Sequence, residues 1–217
     1  MNDKNELIEK LKNQGYLRTS RIIEAFLEIN REDFILSEND SDAYEDFPLP
    51  IGHQQSISQP KTTAFMLELL EPKPGEKILE IGSGSGWQAT LLGFIVGETG
   101  EVHSLEIIPG LSKFATNNTN KYGLIKNGIV KYYIRDGSRG YSKESPFDKI
   151  IISAATDALP KEIFEQLKVG GKLVAPVGPP AAQDIVMIEK HGEDSQDYKE
   201  ERFSGFNFVP LIRGNKY

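Results

Sequence analysis

Three glycines at alternate positions, Gly82, Gly84 and Gly86, follow the short apolar segment 77–81 (KILEI). Glycine has no Cβ and adopts positive φ at little cost, so a ligand can approach the backbone of such a turn closely. The apolar segment predicts a strand, and the residues after the turn predict a helix, whose first N–H groups have no partner inside the helix. Open α/β sheets bind their ligands beyond the carboxyl ends of their strands. The sequence therefore predicts a ligand-binding turn, to which Ser83 also belongs.

The spacing of the glycines narrows the choice of ligand. A dinucleotide-binding turn reads G-x-G-x-x-G, whereas this turn reads G-x-G-x-G and is followed by Trp87. The G-x-x-x-x-G-K-[ST] pattern of a triphosphate-binding loop does not occur in the sequence. Glu106 ends the second predicted strand, where a carboxylate can accept hydrogen bonds from ribose hydroxyls. Asp136 and Gly137 close the third predicted strand at the same edge of the sheet.

Few other residues are candidates for direct chemistry. The sequence has no cysteine, which excludes a disulfide scaffold, a Cys zinc site and a thiol nucleophile. Its three histidines, His53, His103 and His191, lack the spacing of metal ligands, so we expect no metal site. Ser58 precedes a helix that is predicted from about residue 59 to residue 70, and it is a candidate N-cap. A helix N-terminus also favours anions, so Ser58 can equally contact a carboxylate ligand.

The elements that must position these residues fall into two zones. Residues 1–75 show helical spacing of apolar residues, interrupted by an aperiodic loop from Ser37 to Gln55. From residue 76 onward, predicted strands alternate with helices, which indicates an α/β fold with a largely parallel sheet. The strands are predicted at 77–81, 101–107, 129–134, 147–154, 172–177, 185–190 and 206–209, with a helix over about 160–167. Because no helix separates the last two strands, we expect an antiparallel hairpin at one edge.

Composition and charge limit the possible partners. The chain has 217 residues, 38% of them hydrophobic, and its net charge is −7. This balance argues against binding to nucleic acid or to an anionic membrane surface, because phosphate groups are bound by clustered cations. The polar amino terminus contains no secretory or transit segment, and no apolar run approaches the length of a membrane span. We therefore expect a single-domain cytoplasmic monomer.

Several segments in the same order along the chain resemble the protein-L-isoaspartate (D-aspartate) O-methyltransferase family. The glycine turn, with Glu80 before it, resembles the first motif of class I S-adenosylmethionine-dependent methyltransferases in general. The more specific block lies upstream and reads PLPIG at 48–52 followed by QSISQP at 55–60. Further matching segments are REDF at 31–34, AYED at 43–46, DG at 136–137, GY at 140–141, PFD at 146–148, LKVGG at 167–171 and VPL at 209–211.

The resemblance implies a Rossmann-like methyltransferase fold with an N-terminal helical extension. It implies methyl transfer from S-adenosylmethionine to the free carboxylate of L-isoaspartyl and D-aspartyl residues in damaged proteins and peptides. It assigns Ser58 as the functional serine and places residues 55–58 in the wall between cofactor and substrate. It assigns cofactor binding to Gln55, Ser56, Ile57, Glu80, Gly82, Ser83, Gly84, Gly86, Glu106, Asp136 (at the adenine amino group) and Gly137.

Two positions depart from the family pattern, and two other functions remain open. Ser56 replaces the Thr that is usual in the family. Gln54 occupies a position where Gly is common, so the geometry of the turn at this position is in question. One alternative is a methyltransferase for a small molecule or nucleic acid, although segment 153–156 (SAAT) lacks the N/D-P-P-Y sequence of many base amino-methyltransferases. The other is a noncatalytic cofactor-binding adaptor, against which the intact SISQP block argues.

Overall fold

The N-terminal zone of the protein consists of three helices and a small hairpin. The structure is a computed structural model and describes residues 3–180, 182–194 and 197–214. Short 3₁₀ helices at Arg31–Phe34 and Ser37–Asp42 lie between the second helix and the hairpin, so the predicted aperiodic loop is partly ordered. The named elements are α1 Lys4–Asn13, α2 Ser20–Glu28, β1 Leu49–Gly52, β2 Gln55–Ile57 and α3 Pro60–Leu70.

The rest of the described chain forms one seven-stranded sheet with helices. Its strands are β3 Lys77–Ile81, β4 Glu101–Glu106, β5 Val130–Ile134, β6 Phe147–Ile152, β7 Leu167–Val177, β8 Gln183–Lys190 and β9 Tyr198–Phe206. The helices are α4 Trp87–Val96, α5 Pro109–Asn120 and α6 Lys161–Glu165. The strand order is β5-β4-β3-β6-β7-β8-β9; β3 to β7 run parallel, whereas β8 and β9 are antiparallel.

The central strands form because their sequences are apolar on both faces. All but the first residue of β3 are buried, as are five of the six residues of β6. Such continuous apolar strands are typical of parallel sheets that helices cover on both sides. The register pairs Ile78 with Val102 on one side and with Lys149 on the other. The carboxyl ends of β3, β4 and β6 therefore meet at one edge of the sheet.

The N-terminal helices pack on the sheet's own helices and extend the same core. Phe26 of α2 meets Trp87 of α4 edge to face, with ring centroids 5.5 Å apart. Leu7 and Leu11 of α1 are buried in the same apolar cluster as Ile151 and Val174 of the sheet. Burial of this face gives helices of about ten residues a stability that they would not have alone in water.

The structure corrects three boundaries that the sequence predicted. The last strand, predicted at 206–209, spans Tyr198–Phe206 instead and shares only Phe206 with the prediction, because β9 pairs along β8 from Tyr198 onward. The sixth helix is short, and β7 already begins at Leu167. No helix among the described residues is long and apolar enough to cross a membrane.

The third correction concerns Ser58. The N-cap of α3 is Gln59, because Pro60 occupies the first helical position. The carboxylate of Asp46, in the preceding loop, accepts a hydrogen bond from the first turn of α3: the backbone N–H of Lys61 donates to Asp46 Oδ1 at 2.9 Å. Ser58 is therefore not needed as a helix cap.

Candidate functional site

A cleft, called the main cleft below, opens at the carboxyl edge of the sheet. The glycine turn and the ends of β4 and β6 form its floor and sides. Strand β2 and residues 209–212 close it from the other side. Of the residues predicted for the site, nine line it: Gln55, Ser56, Ile57, Ser58, Gly82, Ser83, Gly84, Glu106 and Gly137.

The glycine turn uses its positive φ values in two different ways. Gly82 and Gly84 line the cleft with φ of 90° and 50°. Gly86, with φ of 87°, does not line it and precedes α4 as the N-cap. A Cβ at Gly86 would lie 2.8 Å from the Tyr132 hydroxyl oxygen and 2.9 Å from the backbone of Ala115. Gly86 is thus required for close packing of α4 against its neighbours, rather than for ligand approach.

Glu106 presents a fixed carboxylate to the main cleft. Its Oε2 accepts a hydrogen bond from the backbone N–H of Gly84 at 2.9 Å, and its Oε1 accepts one from Ile108 at 3.0 Å. The side chain is buried, and this burial raises the pKa of Glu106 above its ordinary value, although the two N–H donors oppose the shift. Each oxygen retains a lone pair, so the carboxylate can accept further hydrogen bonds from a vicinal diol.

Glu80 lies beneath the cleft and does not line it. Its side chain is fully buried, and burial raises its pKa to about 7. Ser104 donates a short hydrogen bond to Oε2, and Gln88 Nε2 donates to Oε1 at 3.2 Å. The same amide nitrogen donates to Ser153 Oγ at 2.7 Å. Glu80 therefore reaches the cleft only through Gln88, which lines it together with Ser153.

Asp136 lies at the rim and holds the C-terminal segment. Its Oδ2 accepts a hydrogen bond from the backbone N–H of Gly214, and its Oδ1 accepts one from Ser138, both at 2.8 Å. Partial burial alone would raise the pKa of Asp136, but these backbone donors lower it below the ordinary value. The neighbouring Gly137 lines the cleft, and a Cβ there would come within 2.7 Å of Ile81.

Three buried polar atoms of cleft residues have no hydrogen-bond partner. They are Thr63 Oγ1, Ser83 Oγ and Trp87 Nε1. A buried polar group without a partner costs about 1–3 kcal/mol, so such groups are rare in folded proteins. Since protein atoms enclose these groups, a ligand in the cleft would reach them only after the side chains rotate. Among the described residues, no cluster of His, Asp and Glu could hold a metal ion.

The β1–β2 hairpin carries the upstream block across the cleft. Its two turn residues, His53 and Gln54, have φ of 51° and 58°, a left-handed conformation that hairpin turns normally give to Asn and Gly. Gln54, at the position where Gly is common in the family, is thus accommodated with a strained backbone. His53 is exposed, and its ring lies next to Gly110.

The buried guanidinium of Arg31 holds together the segments before and after the β1–β2 hairpin. Its nitrogens donate to the backbone carbonyls of Phe47 at 2.9 Å and of Ser58 at 3.2 Å. They also donate to the carbonyls of Ala43 and Glu45. Burial lowers the pKa of Arg31 to about 10, so the group stays charged at neutral pH.

A second depression, the side groove, meets the main cleft. It is lined by residues of the loop before α3, by the end of β9 and by residues 207–209. Among the residues that the structure describes, no Asp, Glu or His side chain lines this groove, and Lys61 is the charged residue in it. Four residues line both depressions and are called the junction below: Ser56, Ser58, Ser153 and Val209.

Comparison with known proteins identifies the family. The sequence profile of protein-L-isoaspartate (D-aspartate) O-methyltransferases matches residues 2–216. The chain belongs to this family. A protein-L-isoaspartate O-methyltransferase from Methanopyrus kandleri is 42% identical over 206 residues, which are 95% of this chain and 89% of the relative. One from Pyrobaculum islandicum is 42% identical over 205 residues, 94% of this chain and 97% of the relative.

Solved structures of the family share the fold. A protein-L-isoaspartate O-methyltransferase structure with 29% sequence identity superposes with a TM-score of 0.85 and covers 98% of this chain and 67% of its own. A Plasmodium falciparum structure, solved in complex with S-adenosyl-L-homocysteine, has a TM-score of 0.87 at 24% identity, covering 99% of this chain and 100% of its own. The predicted class I methyltransferase fold, with its mostly parallel sheet and antiparallel edge, is confirmed.

Six polar residues that the sequence did not mark as site residues also line the main cleft: Thr63, Ser85, Trp87, Gln88, Arg135 and Ser153. Thr63 and Gln88 lie in ordinary helical sequence, where nothing marks them as ligand contacts. Trp87 follows the glycine turn directly and lines the cleft as the first residue of α4, while its ring packs against Phe26. Ser153 follows β6 directly, and the position of a polar residue at the carboxyl end of a central strand was the available signal.

Proposed function

We propose that this chain transfers the methyl group of S-adenosylmethionine to the free carboxylate of L-isoaspartyl residues in damaged proteins and peptides. D-Aspartyl residues are the second proposed substrate, in keeping with the family description. The observation that carries the proposal is the meeting of the main cleft and the side groove at three serines, in a chain of this family.

The main cleft suits S-adenosylmethionine in shape and in polar groups. Glu106 would accept hydrogen bonds from the ribose hydroxyls, and Gly82 and Gly84 would let the cofactor lie against the backbone. Thr63 and Ser83 line the cleft, and rotation of their side chains would bring the unpartnered hydroxyls to the cofactor's amino-acid portion. When bound, the cofactor supplies an electrophilic sulfonium methyl group. The rim residue Asp136 is proposed as the partner of the adenine amino group, alongside its bond to Gly214.

The side groove suits an extended peptide. It has aromatic and small residues along its walls, and it leads to the junction serines. A carboxylate with a pKa near 4 is already ionised at neutral pH, so its methylation needs no general base. The protein then has to bind the carboxylate and align it with the methyl group. Such alignment can lower the activation barrier by about 7–11 kcal/mol. The absence of Asp, Glu and His from the described lining of the groove is consistent with this chemistry.

The proposal is tested with paired peptides. Labelled S-adenosylmethionine is supplied with an isoaspartyl peptide and with the L-aspartyl peptide of the same sequence. We expect label in the isoaspartyl peptide alone, as an ester that is lost at alkaline pH. Equal labelling of both peptides, or a product stable to base, would favour another methyltransferase activity. Cofactor binding without turnover would favour an adaptor.

Three further points of the proposal concern the whole protein. We propose that the chain acts as a single-domain monomer in the cytoplasm and does not bind nucleic acid. The net charge of −7 supports the last point, because electrostatic repulsion opposes the approach of a polyanion. Light scattering after size exclusion checks the monomer, and a titration of duplex DNA at low salt checks the absence of nucleic-acid binding.

A further inference from the structure

We propose that the hydroxyl of Ser153 is a hydrogen-bond donor to the carboxylate that accepts the methyl group. The inference rests on the proposed function and adds to it a substrate contact from the central sheet, opposite the β1–β2 hairpin. Ser153 follows β6 directly, and its backbone N–H donates to the carbonyl of Ile81 at 2.9 Å. Its backbone is therefore held by the parallel sheet.

The position of Ser153 places it between cofactor and peptide. It is half-buried and belongs to the junction, so it faces both the main cleft and the side groove. The other two junction serines, Ser56 and Ser58, come from the loop on the opposite side. A carboxylate at the junction would thus lie between two walls that each present hydroxyl groups.

The hydrogen bonds around Ser153 decide the direction of its own hydroxyl. Ser104 donates to one oxygen of the Glu80 carboxyl, and Gln88 Nε2 donates to the other. The second hydrogen of this amide nitrogen goes to Ser153 Oγ at 2.7 Å. Above its pKa of about 7, Glu80 is ionised and can only accept hydrogen bonds, which fixes the amide of Gln88 in this orientation at pH 8, the pH of the test below.

The oxygen of the Ser153 hydroxyl therefore already accepts a hydrogen bond, whereas its hydrogen remains available to donate one. Its Oγ accepts from Gln88, and within the described part of the chain its O–H has no acceptor. A hydroxyl that accepts one hydrogen bond becomes a better donor for the next, since hydrogen bonds in a chain polarise one another. The free O–H at the junction is suited to an anionic oxygen.

The nature of the reaction predicts which kinetic constant this contact controls. A carboxylate loses its negative charge as its oxygen gains the methyl group, so a hydrogen bond to it is stronger before transfer than during transfer. A contact of this kind contributes to substrate binding and orientation more than to the chemical step. We expect Ser153 to act mainly on KM and on the affinity for the peptide.

The test compares two peptides in the presence of S-adenosylhomocysteine. One contains isoaspartate, and the other contains β-alanine at that position, which keeps the extended backbone and lacks only the free carboxylate. Calorimetry at pH 8 gives the Kd of both peptides for the wild type, for Ser153→Ala and for Ser153→Thr. The exposed Ser41 provides the matched control Ser41→Ala.

We expect Ser153→Ala to raise the Kd of the isoaspartyl peptide about tenfold to hundredfold, the range of a charge-assisted hydrogen bond. The Kd of the β-alanine peptide should be unchanged. KM should rise by a similar factor, with kcat unchanged or slightly raised and a cofactor Kd within about threefold of the wild-type value. Ser153→Thr, which keeps the hydroxyl, should retain the preference for isoaspartate.

Two results would overturn the inference. If Ser153→Ala distinguishes the two peptides as well as the wild type does, the hydroxyl does not contact the carboxylate. If the affinities for both peptides and for the cofactor fall equally, Ser153 supports the site as a whole and does not contact the carboxylate specifically. A wild-type chain that neither methylates isoaspartate nor prefers it to β-alanine would instead refute the proposed function, and the inference with it.

Discussion

At the scale of single residues, Glu80 and Glu106 show how two strand-end carboxylates acquire different roles. Glu106 ends β4, faces the main cleft and is held by two backbone N–H groups. Glu80 lies one residue before the end of β3, so strand alternation turns its side chain into the protein. The cofactor role proposed for Glu80 is therefore indirect, through Gln88.

The proposed ribose contact predicts the effect of removing Glu106. Glu106→Ala should weaken S-adenosylmethionine binding about tenfold to hundredfold, because hydrogen bonds to a charged acceptor contribute about 1.5–3 kcal/mol. Calorimetric titration of the folded variant measures this change. The control is Glu101→Ala at the other end of β4, away from the cleft, which should bind as the wild type does. Unchanged affinity in Glu106→Ala would remove Glu106 from the cofactor site.

Ser58 can now be tested without a helix-capping effect, since Gln59 is the N-cap. Ser58→Asn should leave Tm within about 1 °C and should lower kcat/KM for an isoaspartyl peptide by about tenfold or more, because its hydroxyl is proposed to orient the carboxylate. Ser58→Asp should lose more, since a second anion would oppose the substrate. Turnover near the wild-type rate in Ser58→Asp would refute the catalytic role. Ser41→Asn is the surface control.

The buried Glu80 predicts how stability depends on pH. Its carboxyl group titrates near pH 7 in the folded protein and near 4.5 when unfolded, so the folded state binds more protons between these values. Stability from this group is fully present below about pH 4.5 and is lost as pH rises through 7. Urea unfolding gives the free energy of unfolding at pH 5 and at pH 8. Between these pH values it should fall by roughly 1–3 kcal/mol more in the wild type than in the neutral variant Glu80→Gln. Parallel pH profiles would contradict the shifted pKa.

At the scale of elements, Arg31 links the N-terminal helices to the segment that carries two of the junction serines, Ser56 and Ser58. The guanidinium is 1% exposed and satisfies four backbone carbonyls between residues 43 and 58. This segment contains only short regular elements, so its conformation depends on contacts with other parts of the chain. The buried cation replaces the backbone pairing that a longer strand would supply.

Replacement of Arg31 should therefore damage both stability and activity. Arg31→Met keeps much of the volume but leaves the carbonyls unpaired, and we expect a loss of at least about 3 kcal/mol in the free energy of unfolding. The matched control is Arg202→Met, because Arg202 is exposed and forms a surface pair with Glu200. Its cost should stay below about 1 kcal/mol. Equal urea midpoints for the two variants would show that Arg31 does not fix the loop.

At the scale of the whole molecule, the N-terminal zone and the sheet share one apolar cluster. Residues from α1, α2 and α3 belong to it together with residues from α4 and the central strands. The proposed side groove also needs both parts, since Ser58 comes from one and Phe206 from the other. A catalytic site of this kind exists only when the two zones are docked.

The single tryptophan allows this docking to be measured. Trp87 is 3% exposed and packs against Phe26 of α2, so its fluorescence responds to separation of the N-terminal helices from α4. If the chain is one domain, urea should change this fluorescence and the far-UV circular dichroism in one coincident transition. A fluorescence change at lower urea than the loss of secondary structure would show that the N-terminal zone unfolds separately.

The sequence by itself determined the alternation of strands and helices, the ligand-binding turn and the family. These features are local, because apolar runs, glycine spacing and short motifs are each contained within a few neighbouring residues. Glu106 and the serine block were found for the same reason. The position of β9 and the end of α6 were wrong, since the partner strand decides where a strand lies and where it begins.

Only the tertiary structure decided which of these residues face the cleft. It showed that Gly86 serves helix packing, that Glu80 is buried beneath the site, and that Asp136 also binds the C-terminal segment. It brought Ser153 to the junction with Ser58, although 95 positions separate them. The direction of a side chain and its distant neighbours depend on packing between elements, which local sequence patterns do not encode.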